Sequence, residues 1–357
     1  MFDIQLADEL DALRPRTDRT HLVLLAGERG AEVARLDGIM GDAEWIAVVV
    51  PQLIRGHELL ADAAALISFD PARSFLTRLD MRDDAAAIAA RLHPCGHSRS
   101  LLLFCDGLSA HVEGFVRNLE VVIGGIDLMG AGLGCADLVR RPVVFDRDGA
   151  HIDHAVLLGS GIDFHVGVRH GWDSVHGPLV VTRADRNIIH ELNHEPALAV
   201  YRRALADAEG LELTADGFAT IAAGHPLGIA SFQGGEPIVR DPVAAGEDGS
   251  VTVISGVREM DALFVMKGDA EKLVAAVAGM AGDVLARVRA RRVLVFDCIS
   301  RVNFLGERFA EEMRAVEAAA GGAEVIGLTS VGEITNVGFE GVRILNKTCL
   351  VGAVADE

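Results

Sequence analysis

Residues 190 to 194 read His-Glu-Leu-Asn-His, the spacing with which zinc peptidases present two imidazoles and a general-base glutamate. That chemistry needs a helix, because only a helical turn brings His190 and His194 onto one face with Glu191 beside the metal-bound water. The flanking residues point elsewhere. Ile188-Ile189 is a β-branched pair, Asn193 is a turn former, and Pro196 stands at the favoured first position of a helix running through "ALAVYRRALAD". The segment therefore reads as strand, tight turn and helix start. On a strand His190 and Glu191 point to opposite faces, and the zinc geometry fails.

Other residues carry chemistry by type. His93-Pro94-Cys95-Gly96-His97 offers three metal-capable side chains in a short loop, without a partner cluster. His151 and His154 flank a hairpin and read as solvent-facing, while His165, His170 and His176 bracket Trp172. Neutral imidazole suits iron, which makes His170 a candidate haem axial ligand, against the plainer reading of a polar rim residue. Cys298 follows the apolar run Val293–Phe296, and Arg301 would favour its thiolate. No histidine lies beyond His225 to act as its base, so a small buried cysteine is the simpler assignment. Arg301 and Glu333 suit the two ends of a zwitterion such as an amino acid, and equally suit a rim salt bridge. Gly130, Gly132 and Gly134 precede Cys135, where a dinucleotide fingerprint would need another glycine. Their loop is either a close-packed turn or a set of amides open to an anionic group.

Positioning these groups falls to alternating strands and helices, which define an α/β class. Strands are expected at His21–Ala26, Trp45–Val50, Leu101–Phe104, Asp127–Ala131, Val293–Phe296 and Glu324–Leu328. Helices are expected at Asp83–Leu92, Val112–Ile123, Ala197–Ala208, Ala270–Arg289 and Leu305–Ala320, and a hairpin turn at Asp146-Arg147-Asp148-Gly149. Two stretches share one order of elements: "SLLLFCDGLSAHVEGFV" leading to "DLMGAGLG", and "RVLVFDCISRVNFLGERF" leading to "EVIGLTSVGEI". Phe104 aligns with Phe296, Gly114 with Gly306 and Gly130 with Gly327. Duplication of this kind implies two related α/β halves with mixed sheets, and ligand cavities favour such junctions. Cys298, Arg301 and Glu333 would line the cavity from one half, with Gly130, Gly132 and Cys135 from the other.

With 357 residues, half of them apolar, the chain can bury a large core. Its 52 acidic against 33 basic residues, a formal charge of −19, would repel phosphate backbones, which argues against nucleic-acid binding. No apolar run is long enough to span a bilayer. Five scattered cysteines without C-x-x-C, and no signal-like N-terminus, fit a reduced, cytoplasmic protein.

The stretches "HGW…GPLVVTRADRNIIHELNHEPALAVYRRAL", "VLVFDCISRVNFLGERFAEEM", "VIGLTSVGEI" and "LNKTCLVGAV" resemble the FIST family. The resemblance implies a divergent lead over residues 1–44, an N-terminal FIST domain over 45–195 and a C-terminal one over 196–357. It also implies His194 in a turn where the family has glycine, the single change that completes the zinc-like pattern. The implied function is non-enzymatic sensing of a small ligand such as an amino acid. Signalling partners would be a histidine kinase or a cyclic-di-nucleotide enzyme, with no output domain here, or a homodimer would carry the response. Some members bind haem and respond to nitric oxide, which His170 would serve. A cysteine-dependent hydrolase at Cys298 or a zinc enzyme at His190 and His194 is the remaining alternative.

Overall fold

The computed structural model describes residues 3–355 except 28, 93–97, 215, 232–234 and 340. Each of three successive units follows the same plan: an opening strand, a helical segment, a strand, a second helix, a parallel strand, a hairpin and a closing strand. In the first unit the parallel pair is Thr20–Ala26 with Glu44–Val50, in the second Ser100–Asp106 with Asp127–Leu133, and in the third Ala290–Cys298 with Glu324–Ser330. The closing strands Ala64–Phe69, His154–Ser160 and Cys349–Ala355 pair antiparallel with the first member of each. The opening strands Asp3–Ala7, Ser74–Asp80 and Phe164–Arg169 add outside the closing ones. This is a mixed α/β architecture. The two segments expected to be related are the second and third units, and Leu103↔Gly130 and Val295↔Gly327 occupy equivalent pairs. The first unit has Val23↔Ala47 at that place. A boundary at residue 44 falls inside its parallel pair.

The hairpins do not stay with the units that precede them. Leu53–Arg55 of the first unit pairs with Glu324–Ser330 of the third. Val144–Asp146 of the second pairs with Glu44–Val50 of the first, and Glu333–Thr335 of the third with Asp127–Leu133 of the second. The exchange is cyclic, so each six-stranded sheet is completed by another unit.

Alternation along the strands divides the core. Leu102 and Phe104, with Leu294 and Phe296, enter one cluster shared by all three sheets, and the Phe104 and Phe296 rings lie 5.7 Å apart. The opposite faces, Leu101 and Leu103 or Val293 and Val295, pack under the helices Val112–Ile123 or Ala270–Leu285 and Phe309–Ala320. Between Phe164–Arg169 and Ala270–Leu285 the third unit carries an insertion, an eight-stranded antiparallel sheet with its own apolar core and the helices Ala197–Glu209 and Phe218–Gly224. Among the described residues no helix is long and apolar enough to cross a membrane.

The glycine bends of units two and three meet at the exchange. Gly132 N–H donates to the Gly332 carbonyl and Val331 N–H to the Gly132 carbonyl, both at 2.7 Å. A Cβ on Gly132 would stand 2.1 Å from the Val331 oxygen. Gly132→Ala must therefore open this contact and is expected to lose roughly 2–3 kcal/mol of stability in urea unfolding. Gly125→Ala, where a Cβ meets nothing within 4 Å, serves as the control and should stay within about 0.5 kcal/mol.

Candidate functional site

The His-Glu-x-x-His stretch lies on extended chain. Ile188–Leu192 is a strand, Leu192 pairs with Glu195, and the helix starts at Ala197. Asn193 and His194, with φ of 52° and 65°, form the two-residue reversal, a conformation that asparagine tolerates well. The Asn193 side chain accepts from Val180 N–H at 2.8 Å and Thr182 Oγ1 accepts from His194 N–H at 2.9 Å. His190 instead faces Asp248, 3.8 Å away, and His194 is exposed. The geometry offers no zinc site here. His151, expected to face solvent, is largely buried and pairs with Asp146 at 2.8 Å. The residues 93–97 lie outside the described part of the chain.

The six residues assigned to a cavity between related halves are packed into the core. Gly130 and Gly132 contact the incoming hairpin directly, and Cys135 is buried. Arg301 is fully buried with every guanidinium nitrogen bonded: Nη2 donates to Glu312 Oε2 at 2.5 Å and to the Leu273 carbonyl at 2.9 Å, Nη1 to the His170 carbonyl at 2.5 Å, and Nε to Glu312 Oε1 at 3.4 Å. Asp297 Oδ1 lies 3.6 Å from its Nε. Asp297, Glu312 and Cys349 form the one metal-like cluster among the described residues, but the guanidinium already supplies its positive charge. Burial, then the neighbouring Glu312, push the Asp297 carboxyl well above the usual carboxylate range. The shift disfavours a second buried anion beside one cation.

Glu333 takes the hairpin position filled by Leu53 and Val144 in the other two exchanges. It accepts from Ser330 Oγ at 2.6 Å and from Thr348 Oγ1 and N–H at 2.5 and 3.2 Å. Burial, and then the Glu333 charge, raise the Cys298 thiol, so Cys298 is a poor nucleophile. Among the described residues no histidine is paired with Cys298; its thiol meets the Glu333 carboxyl instead.

His170 is buried, and both ring nitrogens are engaged. Nδ1 accepts from Trp172 N–H at 2.9 Å, which leaves Nε2 as the protonated nitrogen, donating to the Pro237 carbonyl at 3.0 Å. Burial lowers its pKa further. No lone pair is left to coordinate haem iron, so the axial-ligand assignment is replaced by a structural one.

The open chemistry lies in front of these groups. A cleft of about 640 Å³ separates the insertion, at Ala230, Ser231 and Gly235–Val239, from Val168–His170, Gly338, Phe339, Arg343, Leu345 and Thr348 of the third unit. Among the described residues Arg169 and Arg343 bond only backbone carbonyls, those of Val168 and Val342. Glu236 faces them from the insertion, 3.8 Å from His170. Behind the cleft, Lys347 ties the two bodies together. Its backbone is held at φ 52°, and its ammonium reaches Ser300 Oγ at 2.7 Å, the Ala223 carbonyl at 3.0 Å and Asp241 at 3.3 Å, over the Trp172 ring.

Residues 21–195 match the FIST N domain and residues 197–336 the FIST C domain. The chain belongs to the FIST family. FIST domains are associated with signal-transduction sensing. No curated protein matches this chain. In this FIST protein the cleft residues Arg169, Glu236 and Arg343 escaped sequence reading because they sit singly on three separated segments. Two arginines in one cleft without an ion pair among the described residues would have been the signal, and it exists only in three dimensions.

Burial, resisted by the hydrogen bonds from Ser330 and Thr348, lifts the Glu333 carboxyl from 4.5 to about 7. A carboxyl whose pKa is raised on folding contributes stability that is complete below the unfolded value and disappears as pH climbs through the folded one. In Glu333→Gln the amide oxygen can accept from Thr348 and the amide nitrogen can donate to Ser330 Oγ. The variant is expected to gain about 3 kcal/mol relative to the parent between acid and mildly alkaline pH, read as the difference in their urea-unfolding pH profiles. Parallel profiles would contradict a buried, titrating Glu333.

Proposed function

We propose that this FIST protein is a non-enzymatic, intracellular sensor of a small polar metabolite, an amino acid being the type, bound in the cleft between the insertion and the third unit. One observation carries the reading. In a chain with a net charge of −19, Arg169 and Arg343 stand in one concave cleft without a carboxylate partner among the described residues, opposite Glu236. A ligand carboxylate suits the arginines, whose planar donors match it, and its ammonium suits Glu236. Cys298, Arg301 and Glu333 act on the ligand only from behind, through Thr348 and the His170 backbone.

The two walls belong to different bodies, so a ligand touching both favours their closed packing over the open one. A separate partner, such as a histidine kinase or a cyclic-di-nucleotide enzyme, or a second copy of the chain, would read that shift. Thermal-shift screening of the full chain over the amino acids tests the reading, because a ligand bound only by the folded state raises Tm. At least one is expected to do so at millimolar concentration. Arg169→Gln and Glu236→Gln are each expected to weaken that response roughly ten- to hundredfold. A flat screen, or variants that respond like the parent, would overturn the assignment.

A further inference from the structure

A second cleft of about 450 Å³ adjoins the first and shares Ala230, Ile238 and Arg343 with it. Its walls come from the helix Val112–Ile123 of the second unit, residues 256–261 of the insertion and the hairpin strand Arg343–Leu345. At its base lies Arg240, only 8% exposed. Nε donates to the Gly256 carbonyl at 2.8 Å, and Nη1 to the Val239 and Ile344 carbonyls at 3.0 and 3.2 Å. Nη2 has no acceptor among the described residues, yet it is not sealed from the cleft as a buried orphan would be. Burial lowers the guanidinium pKa to about 10, which leaves it charged at neutral pH.

A nearly buried cation without an ion-paired anion is costly, and carbonyl dipoles offset the cost only in part. Three carboxylates, Glu113, Glu120 and Asp261, also line the cleft; none ion-pairs an arginine among the described residues, and two of them are held by backbone amides. Glu113 accepts the Gly256 amide, and Asp261 accepts the Arg258 amide at 2.8 Å. They favour the Arg240 charge across space without bonding it. Arg117 and Arg258, both exposed on the walls of the same cleft, form no ion pair among the described residues either.

We infer that this second cleft is a binding site for a small oxyanion, a carboxylate or phosphate group, anchored on Arg240 Nη2 and closed over by Arg117 and Arg258. The anion supplies the counter-charge that the fold withholds from Arg240, and the exposed arginines supply charge-assisted hydrogen bonds from the walls. Arg343 borders both clefts, but Arg240, Arg117 and Arg258 line only this one, so the site does not depend on the amino-acid reading.

The test is calorimetric titration and thermal shift of the full chain with inorganic phosphate and, separately, with acetate, ionic strength being held constant with chloride. Saturable binding of either anion at millimolar concentration is expected, and which anion binds tells phosphate from carboxylate chemistry. The double variant Arg117→Gln/Arg258→Gln, altered only at exposed positions, should keep the parent Tm without ligand and lose at least about tenfold in affinity. Arg240→Lys should lose more, while Arg169→Gln, in the neighbouring cleft, should bind like the parent. Failure of the amino-acid screen thus leaves this result standing, and the reverse also holds. No response beyond chloride, or a double variant that binds as tightly as the parent, would overturn the inference.

Discussion

The reciprocal pair of backbone hydrogen bonds joining Gly132 to Val331 and Gly332 is where the second and third units become one object. Closing it brings together residues about two hundred positions apart, and it survives only because one partner lacks a Cβ. From this contact the hairpin continues as an added strand, Glu333↔Ala131 to Thr335↔Met129, and Asn336 extends the grip by accepting from Leu128 N–H at 2.9 Å. The same closure repeated twice more encloses the shared apolar cluster. Glu333 takes its position directly from that closure.

The third unit differs from its siblings in what it buries. Where the first has Leu25 and Leu53 and the second Cys105, the third has Asp297 and Glu333, with Arg301, Glu312 and Lys347 close by. Such groups are tolerated in the interior when each finds a partner or gives up its charge. Arg301 and Glu312 pair, Asp297 lies 3.6 Å from the same guanidinium with its charged form disfavoured by burial, and Lys347 meets Asp241 of the insertion. The polar interior therefore coincides with the one unit that carries an insertion, and it fastens that insertion down.

Much of this was legible in the residues. The Asn193-His194 reversal announced itself through Ile188-Ile189 before it and Pro196 after it, and the Asp146 to Gly149 turn through its own composition. Phe104 with Phe296, and Gly130 with Gly327, revealed two units because these residues meet the same close-packing demand in both. The first unit stayed hidden because it answers that demand with Leu24 and Ala47, ordinary aliphatic residues in ordinary strands. The exchange of hairpins was invisible for another reason: pairing partners such as Leu53 and Leu328 carry no mark of each other. Arg301 and Glu333 were read as ligand arms because charge normally seeks the surface; their burial depends on Glu312 and Thr348, which no local pattern connects to them.

The cyclic lending of hairpins also bears on what counts as a part of this protein. The division between the two family matches, at residues 195 and 197, falls within the insertion, between its hairpin reversal and the helix that follows. A polypeptide severed there would leave the amino-terminal piece owing a strand pair to the other piece and owed one in return. The two names thus label stretches of a single knit fabric: one six-stranded sheet lies wholly in the amino-terminal stretch, and the other three sheets draw strands from both. Evolutionary shuffling of one without the other would have to replace the borrowed edges.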